Sequence, residues 1–286
     1  MVKYLAKIEG KHVKVDLHIH STASDGSWRP QELVTEVDKA GIGLFAVTDH
    51  DTVASIIPAQ QWAAEAGLVF LPGVEVSTTA GGKSFHILGY GIDPGAAALQ
   101  QLLRHNTELL ERVDHDSIRK LIAGGFAIDY AEYCAYRHDP VRGGWKSLSF
   151  LIDKGFCRDV QDFFTNLFTV ERGLDFPAYP PPAEVVGAIH AAGGVAVLAH
   201  PGSDFHGAAL EETLERLGHE ELDGVECFHP GHDEATTRRV LAWCRAKGLL
   251  ITGGSDCHGS FVPQRRLGVP PVRLDQLRLG KLAERI

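Results

Sequence analysis

Short apolar runs recur along the chain, most of them followed by a polar cluster and then by a stretch with helical spacing. HVKVDL, GLFAVT, LVFLPGVEVS, SFHILGYGI, GGVAVLAH, DGVECF and GLLITGGS read as strands. Between them, residues 30–40, 54–66, 182–192, 207–217 and 233–247 read as helices, the first opening on Pro30, whose fixed φ suits a first turn. Strands alternating with helices predict an α/β fold on a parallel sheet, and seven such runs point to a barrel rather than an open sheet.

Residues 94–180 break this rhythm. Asp93-Pro94 opens a helical pattern that runs to about residue 123, shorter ones follow near 129–135, 146–154 and 159–168, and no convincing strand intervenes. FPAYPPP then returns the chain to the α/β pattern. The organisation expected is therefore a barrel whose first part is 1–93 and second part 181–286, with 94–180 as a helical insertion capping the active-site mouth.

The chain has 286 residues, enough for one large α/β domain, and a net charge of -9. That charge argues against a protein that coats long duplex nucleic acid through a broad basic surface, yet leaves room for a small phosphorylated substrate held by a few local cations. Five cysteines, at 134, 157, 227, 244 and 257, form no CxxC pair, which points to a reducing cytoplasm. MVKYLAKIEGKH carries no signal-peptide apolar core, and no apolar run approaches membrane-spanning length, so no membrane association is expected.

Chemistry enters with KVDLHIHSTASDG. Val13, Val15, Leu17 and Ile19 alternate with Lys14, Asp16, His18 and His20, so the two histidines share one face of a strand, about 6 to 7 Å apart along the backbone. Taken alone, the pair fits a chelate or two solvated strand histidines equally well. The other runs decide. His50 closes AVTDH, Glu75 lies in GVEVS, His86 in SFHILGY, His200 ends VAVLAH, and Asp256 and His258 close GSDCH. In (β/α) barrels the active site is built at the carboxyl ends of the strands. The inventory at that mouth is His18, His20, Asp25, His50, Glu75, His86, His200, Asp256 and His258. Nine imidazoles and carboxylates exceed the four to six ligands of one ion and suit two or three divalent ions, with zinc, manganese or iron favoured over magnesium. Glu75 is the candidate bridging carboxylate.

DLHIHSTASDG, AVTDHDT, GVEVS, HILGYGID, VAVLAHPG and GSDCHG resemble, in order and character, the motifs of the PHP (polymerase and histidinol phosphatase) family over roughly 13–93 and 180–260. The resemblance implies a distorted (β/α)7 TIM-like barrel, a di- or trinuclear metal centre and phosphoester hydrolysis, with the family's ligand roles falling on the nine residues above. Asp25 stands where some members have histidine. The inserted helical segment and TASDG look like the members that act on nucleoside 3',5'-bisphosphates or short RNA 5' ends, and less like histidinol phosphate phosphatases. A nucleotide or short oligonucleotide is the substrate implied.

A clustered metal site acidifies water and neutralises charge developing on phosphoryl oxygens. The leaving group still needs a proton or a metal, and His206 or His229 could supply the proton. In YRHDPVRGGWKSLSF, Arg142 and Lys146 are candidates for a phosphate clamp, with Trp145 stacking a base. The nucleotide-acting relatives carry an Arg-x-His-aromatic pattern there, and Lys146 takes the place of that histidine. Asp16, Asp49 and Asp51 flank ligands and fit carboxylates that orient imidazoles, Asp51 fitting a helix cap equally well. Amide hydrolysis is the competing chemistry, since HxH and strand-end histidines also mark amidohydrolases. No strand lysine follows their carboxylated-lysine pattern.

Overall fold

The computed structural model describes residues 13–203 and 207–285. Eight strands form one sheet in the order β7-β6-β5-β4-β3-β2-β1-β8. They are β1 (Lys14–Asp16), β2 (Ile42–Val47), β3 (Val69–Ala80), β4 (Lys83–Tyr90), β5 (Val195–Leu198), β6 (Gly224–Phe228), β7 (Leu250–Gly253) and the two-residue β8 (Val272–Arg273). The sheet curls back on itself. Past β1 and β7, the Leu17 amide donates to the Gly253 carbonyl at 3.2 Å and the His20 amide to the Cys257 carbonyl at 2.9 Å. The result is a nearly closed, distorted (β/α)7-type barrel, with β8 paired antiparallel to β1 at the end of the strand order.

The sheet is mixed rather than wholly parallel, because β4 runs against both β3 and β5. The cause is local. Only Gly81 and Gly82 separate β3 from β4, both at positive φ (56° and 75°), the geometry of a two-residue hairpin turn, and no crossover helix fits in that space.

Alternation along the strands sorts the core. Leu44, Ala46, Leu71, Leu88, Tyr90, Val195 and Val197 form one buried cluster inside the barrel, while Phe45, Val47, Ala196 and Leu198 turn outward to the helices. The outer helices include α1 (Pro30–Lys39), α2 (Ile56–Ala66), α7 (Pro182–Ala191), α8 (Leu210–Leu217) and α9 (Glu234–Lys247), each starting within three residues of its expected position. Tyr90 fills the barrel interior and satisfies its hydroxyl on the Leu17 carbonyl at 2.8 Å.

The 27-residue helix α3 (Ala97–Ala123) ties two cores together. Leu99, Leu102 and Leu103 pack on the barrel's outer layer, whereas Ile118 and Leu121 join a separate cluster with Tyr133, Leu148, Phe150, Phe163 and Leu167. That cluster is supplied by α4 (Tyr130–Ala135), α5 (Lys146–Asp153) and α6 (Val160–Asp162), which continues as a π-helical turn over Phe163–Leu167. Among the described residues no helix is long and apolar enough to cross a membrane.

Candidate metal centre

All nine candidate ligands converge at one end of the barrel. His18, His20 and Asp25 follow β1, His50, just past β2, pairs with Glu75 midway along β3, His200 follows β5, and Asp256 and His258 follow β7. His86 reaches the same end because β4 is reversed, so that its early residues lie beside the late residues of β3, with His86 opposite Ser77. His200 and Asp256 hold φ at 26° and 50°, and Asp51, next to His50, at 49°. Such left-handed backbone in residues with a Cβ is strained and clusters at functional sites.

Glu75 is fully buried at the centre of the group, and its two oxygens face different partners. Oε1 lies 3.0 Å from His86 Nδ1 and 2.9 Å from His200 Nε2. Oε2 lies 3.0 Å from His18 Nε2, 3.2 Å from His20 Nε2 and 3.3 Å from His50 Nδ1. Asp256 Oδ1 approaches His20 Nε2 at 3.1 Å and His18 Nε2 at 3.5 Å. Asp25 sits between His258 Nε2, 3.3 Å from Oδ2, and His20 Nδ1, 3.7 Å from Oδ1. Three sets result in which the ligand atoms lie within 4.8 Å of one another: His18, His20, Glu75 and Asp256; His50, Glu75 and His86; and His20, Asp25, His50 and His258.

These residues fit metal ions by two tests. Donors bound about 2.1 Å from one ion stand roughly 3.0 to 3.4 Å apart, and most of the contacts above fall in that range. The His20 ring nitrogens, fully buried, have no hydrogen bond of acceptable geometry despite two carboxylates within 3.2 Å. A buried imidazole in that position is costly unless something other than a hydrogen bond engages it.

The electrostatics agree. Burial would lower the His18 and His20 pKa values, but the surrounding carboxylates outweigh it, raising His18 well above its usual range and His20 to about 10. Burial takes His50 the other way, to about 3. Burial would raise the Glu75 and Asp256 carboxyls, yet the imidazoles around Glu75, and Arg265 and His18 beside Asp256, hold both well below the carboxylate range. Charge of one sign is thus packed against protons that a cation can replace.

A second layer fixes ring orientation. Glu226, fully buried on β6, accepts from His18 Nδ1 at 3.0 Å through Oε1 and from the His200 amide at 2.9 Å through Oε2, so that His18 Nε2 is left for the centre. His258 Nδ1 donates to the Asp256 carbonyl at 2.7 Å, which leaves its Nε2 for the group around Asp25. The sequence already places Glu226 at the end of a strand, able to face the mouth though outside the family's ligand pattern, and the structure puts it behind His18 and His200.

Asp16, Asp49 and Asp51 do not orient imidazoles. Asp16 accepts the amides of His18, Ser255 and Gly268, Asp49 accepts from Ser21, Ser24 and Ser55, and Asp51 accepts from Ser77 and Asn106. They anchor the loops that carry the ligands. Asp51 caps no helix, because α2 starts after Ser55.

Above the centre lies a cavity of about 660 Å³ lined by Asp25, His50, His86, His200, Asp256 and His258 on one side and by Trp145 and several phenylalanines on the other. The expected cationic clamp is not assembled there. Arg142 forms a two-point ion pair with Asp153, at 2.7 and 2.8 Å, and also donates to the Tyr136 hydroxyl. Lys146 donates to the Cys134 carbonyl at 3.1 Å with its ammonium over the Tyr133 ring. Gly143 and Gly144 serve another purpose. Both sit at positive φ, a Cβ at Gly143 would come within 2.3 Å of the Phe261 Cβ, and the Gly144 amide donates to the Asp25 carbonyl at 2.8 Å. The glycine pair lets this loop approach the barrel mouth closely.

His229 also departs from the role expected of it. Its Nδ1 accepts the Gly231 amide at 2.9 Å, so its proton resides on Nε2 and is taken up by Asp256 Oδ2 at 3.1 Å, and His229 itself is not among the residues lining the cavity. It steadies Asp256 instead of facing a leaving group. His206 lies outside the described residues. Arg265, which the sequence reading did not single out, contacts Asp256 Oδ2 and is the only lysine or arginine lining the cavity among the described residues.

The PHP domain model matches residues 16–140. The chain is 30% identical to phosphoribosyl 1,2-cyclic phosphate 1,2-diphosphodiesterase of Eggerthella lenta, over 89% of this chain and 98% of that protein. It is 31% identical to 3',5'-nucleoside bisphosphate phosphatase of Chromobacterium violaceum, over 90% and 93%. Its fold is similar to the crystal structure of a protein from Bifidobacterium adolescentis described as a metal-dependent phosphoesterase, with a TM-score of 0.79, 28% identity, and 92% and 93% of the two chains covered. With six ordered motifs, a barrel of the same shape and relatives aligned along nearly their whole length, the chain belongs to the PHP domain family.

Proposed function

We propose that the nine side chains hold two or three divalent ions, drawn from manganese, zinc and iron, and that the substrate is a small nucleotide or short oligonucleotide. The chain is a metal-dependent phosphoester hydrolase. The observation that carries the multinuclear reading is the division of Glu75, one oxygen toward His86 and His200 and the other toward His18, His20 and His50. Ions bound there would supply Lewis acidity for phosphoryl oxygens and acidified water at neutral pH.

The chain's own groups do the rest. Glu226 holds the proton on His18 Nδ1, and His229 holds its Nε2 proton against Asp256, so two ligands are oriented before substrate arrives. Arg265, at the cavity edge, presents a guanidinium to an incoming phosphoryl oxygen. Segment 94–180 acts as the insertion that roofs the site and keeps bulk water from it. The nucleotide class is supported by the relative from Chromobacterium violaceum, whose substrate is a nucleoside bisphosphate, and by the aromatic lining. The free thiols fit a reducing cytoplasm.

The test is a panel of p-nitrophenyl phosphate, bis-p-nitrophenyl phosphate, adenosine 3',5'-bisphosphate, histidinol phosphate and a dipeptide, each with added manganese. Turnover of phosphate esters that is lost on chelation supports the reading. Turnover of the dipeptide alone would assign the site to amide hydrolysis.

A further inference from the structure

The roof of the cavity is built from rings where a polyanion would need cations. Trp145, Phe163, Phe164, Phe168, Phe176 and Phe261 all line it. They form one connected set, with Trp145 5.6 Å from Phe163 and 5.8 Å from Phe164 between ring centroids, and Phe176 5.3 Å from Phe168 and 6.0 Å from Phe164. The charges on the same walls are of the wrong sign for a second phosphate. Arg265 is held by Asp256 beside the centre, where it serves the scissile phosphate, Glu111 adds a carboxylate from α3, and Asp114, also on α3, has both oxygens taken up by Ser147. Arg142 and Lys146, the nearby cations that could have compensated, are turned to Asp153 and to the Cys134 carbonyl.

A scissile phosphate is met by the centre itself. A phosphate elsewhere in the cavity would lose its hydration, find no uncommitted lysine or arginine among the described residues and face the Glu111 carboxylate, which is unfavourable in a partly enclosed apolar space. A planar ring gains on every one of these counts, since each base has a π face that stacks on aromatic side chains whatever its sequence. We infer that the substrate class, within the phosphoester reading on which this inference rests, is a phosphate monoester that carries an aromatic or heteroaromatic ring and no second phosphate. The ring is received by the wall of Trp145 and Phe164, and the site selects against bisphosphates.

The experiment compares kcat/KM of the manganese-loaded full chain for adenosine 5'-monophosphate (ring, one phosphate), adenosine 3',5'-bisphosphate (ring, two phosphates) and glycerol phosphate (no ring, one phosphate). The monophosphate should lead each of the others by roughly tenfold. Phe164→Ala, at an exposed position that tolerates truncation, should reduce the ratio of adenosine monophosphate to glycerol phosphate. Glu111→Lys should raise the bisphosphate relative to the monophosphate by about tenfold. Equal or better turnover of the bisphosphate, or a ring preference untouched by Phe164→Ala, would overturn the inference and leave phosphoester hydrolysis standing. Calorimetric affinities for the same three compounds give the ranking independently. Absence of turnover on all three would therefore count against the phosphoesterase reading, while the affinity order still decides the preference for a single phosphate and a ring.

Discussion

The floor and the roof of the cavity are built on opposite principles. The floor gathers side chains from Asp16 to His258, distant in sequence, and nearly every one is charged or polar, buried, and fixed by a named partner. The roof comes mostly from one stretch, 145–176, joined by Phe261, and its members hold one another by ring packing. A buried charge tolerates few neighbours, whereas an aromatic ring accepts many. The floor is therefore constrained by chemistry at each position, and the roof only by volume and shape.

The largest effect should come from the floor. Asp256→Ala or His18→Ala is expected to reduce kcat/KM on phosphate esters by roughly a thousandfold with the circular dichroism spectrum of the fold retained, because these groups stand at strand ends and not in the barrel core. A folded variant that keeps its metals and near wild-type turnover would break the distinction between floor and core. Next is Glu226→Gln, which keeps the shape but weakens the acceptor for His18 Nδ1 and lets the imidazole turn. It should cost about ten- to a hundredfold in metal affinity or activity, read by metal titration. No loss would make Glu226 a packing residue.

These two predictions differ in how visible their residues are in the sequence. The motif residues were legible because a chelate needs particular atoms at strand ends, and the period of two in VKVDLHIH already set His18 and His20 on one face. The helix positions were legible for the same kind of reason, from Pro30 at the start of α1 to the apolar spacing of α9. The reversal of β4 was written in Gly81-Gly82 but concealed by the run SFHILGY, which fits either direction. Arg142 and Lys146 misled because charge in a loop says nothing of which acceptor is nearer. Asp153, the acceptor that Arg142 reaches, closes the same short helix that Lys146 begins. Arg265 was missed because its partner Asp256 is contacted only once the loop after His258 folds back.

A smaller effect separates metal from proton on the floor. In chelated protein His20 has its pKa raised from 6.5 to about 10, so the stability it contributes is full below about pH 6.5 and is lost as pH rises toward 10. His50, lowered to about 3, acts in the opposite sense, its contribution being present above pH 6.5 and lost as pH falls toward 3. The melting temperature of the chelated chain should thus peak near neutrality and fall by a few degrees on the alkaline side. Manganese-loaded protein should lack the alkaline fall, since the cation takes the place of the His20 proton. Identical profiles with and without metal would separate His20 from the ion.

The smallest effect belongs to the cations that flank the roof. Arg142→Ala removes a half-exposed ion pair with Asp153 and should cost about 0.2 to 1 kcal/mol of stability. With Lys146→Ala it should leave kcat/KM for adenosine monophosphate within about twofold of wild type, because exposed charges that do not reach the cavity contribute little. A larger, bisphosphate-specific loss would return these residues to the clamp expected from the sequence.

The division of Glu75 between two groups of histidines is the centre of the account, and anomalous diffraction from manganese-soaked crystals tests it most directly. Two or three peaks per chain are predicted, with one ion about 2.1 Å from each Glu75 oxygen, one on the side of His86 and His200 and one on the side of His18 and His20. A single peak, or ions that leave either Glu75 oxygen without a metal, would contradict it.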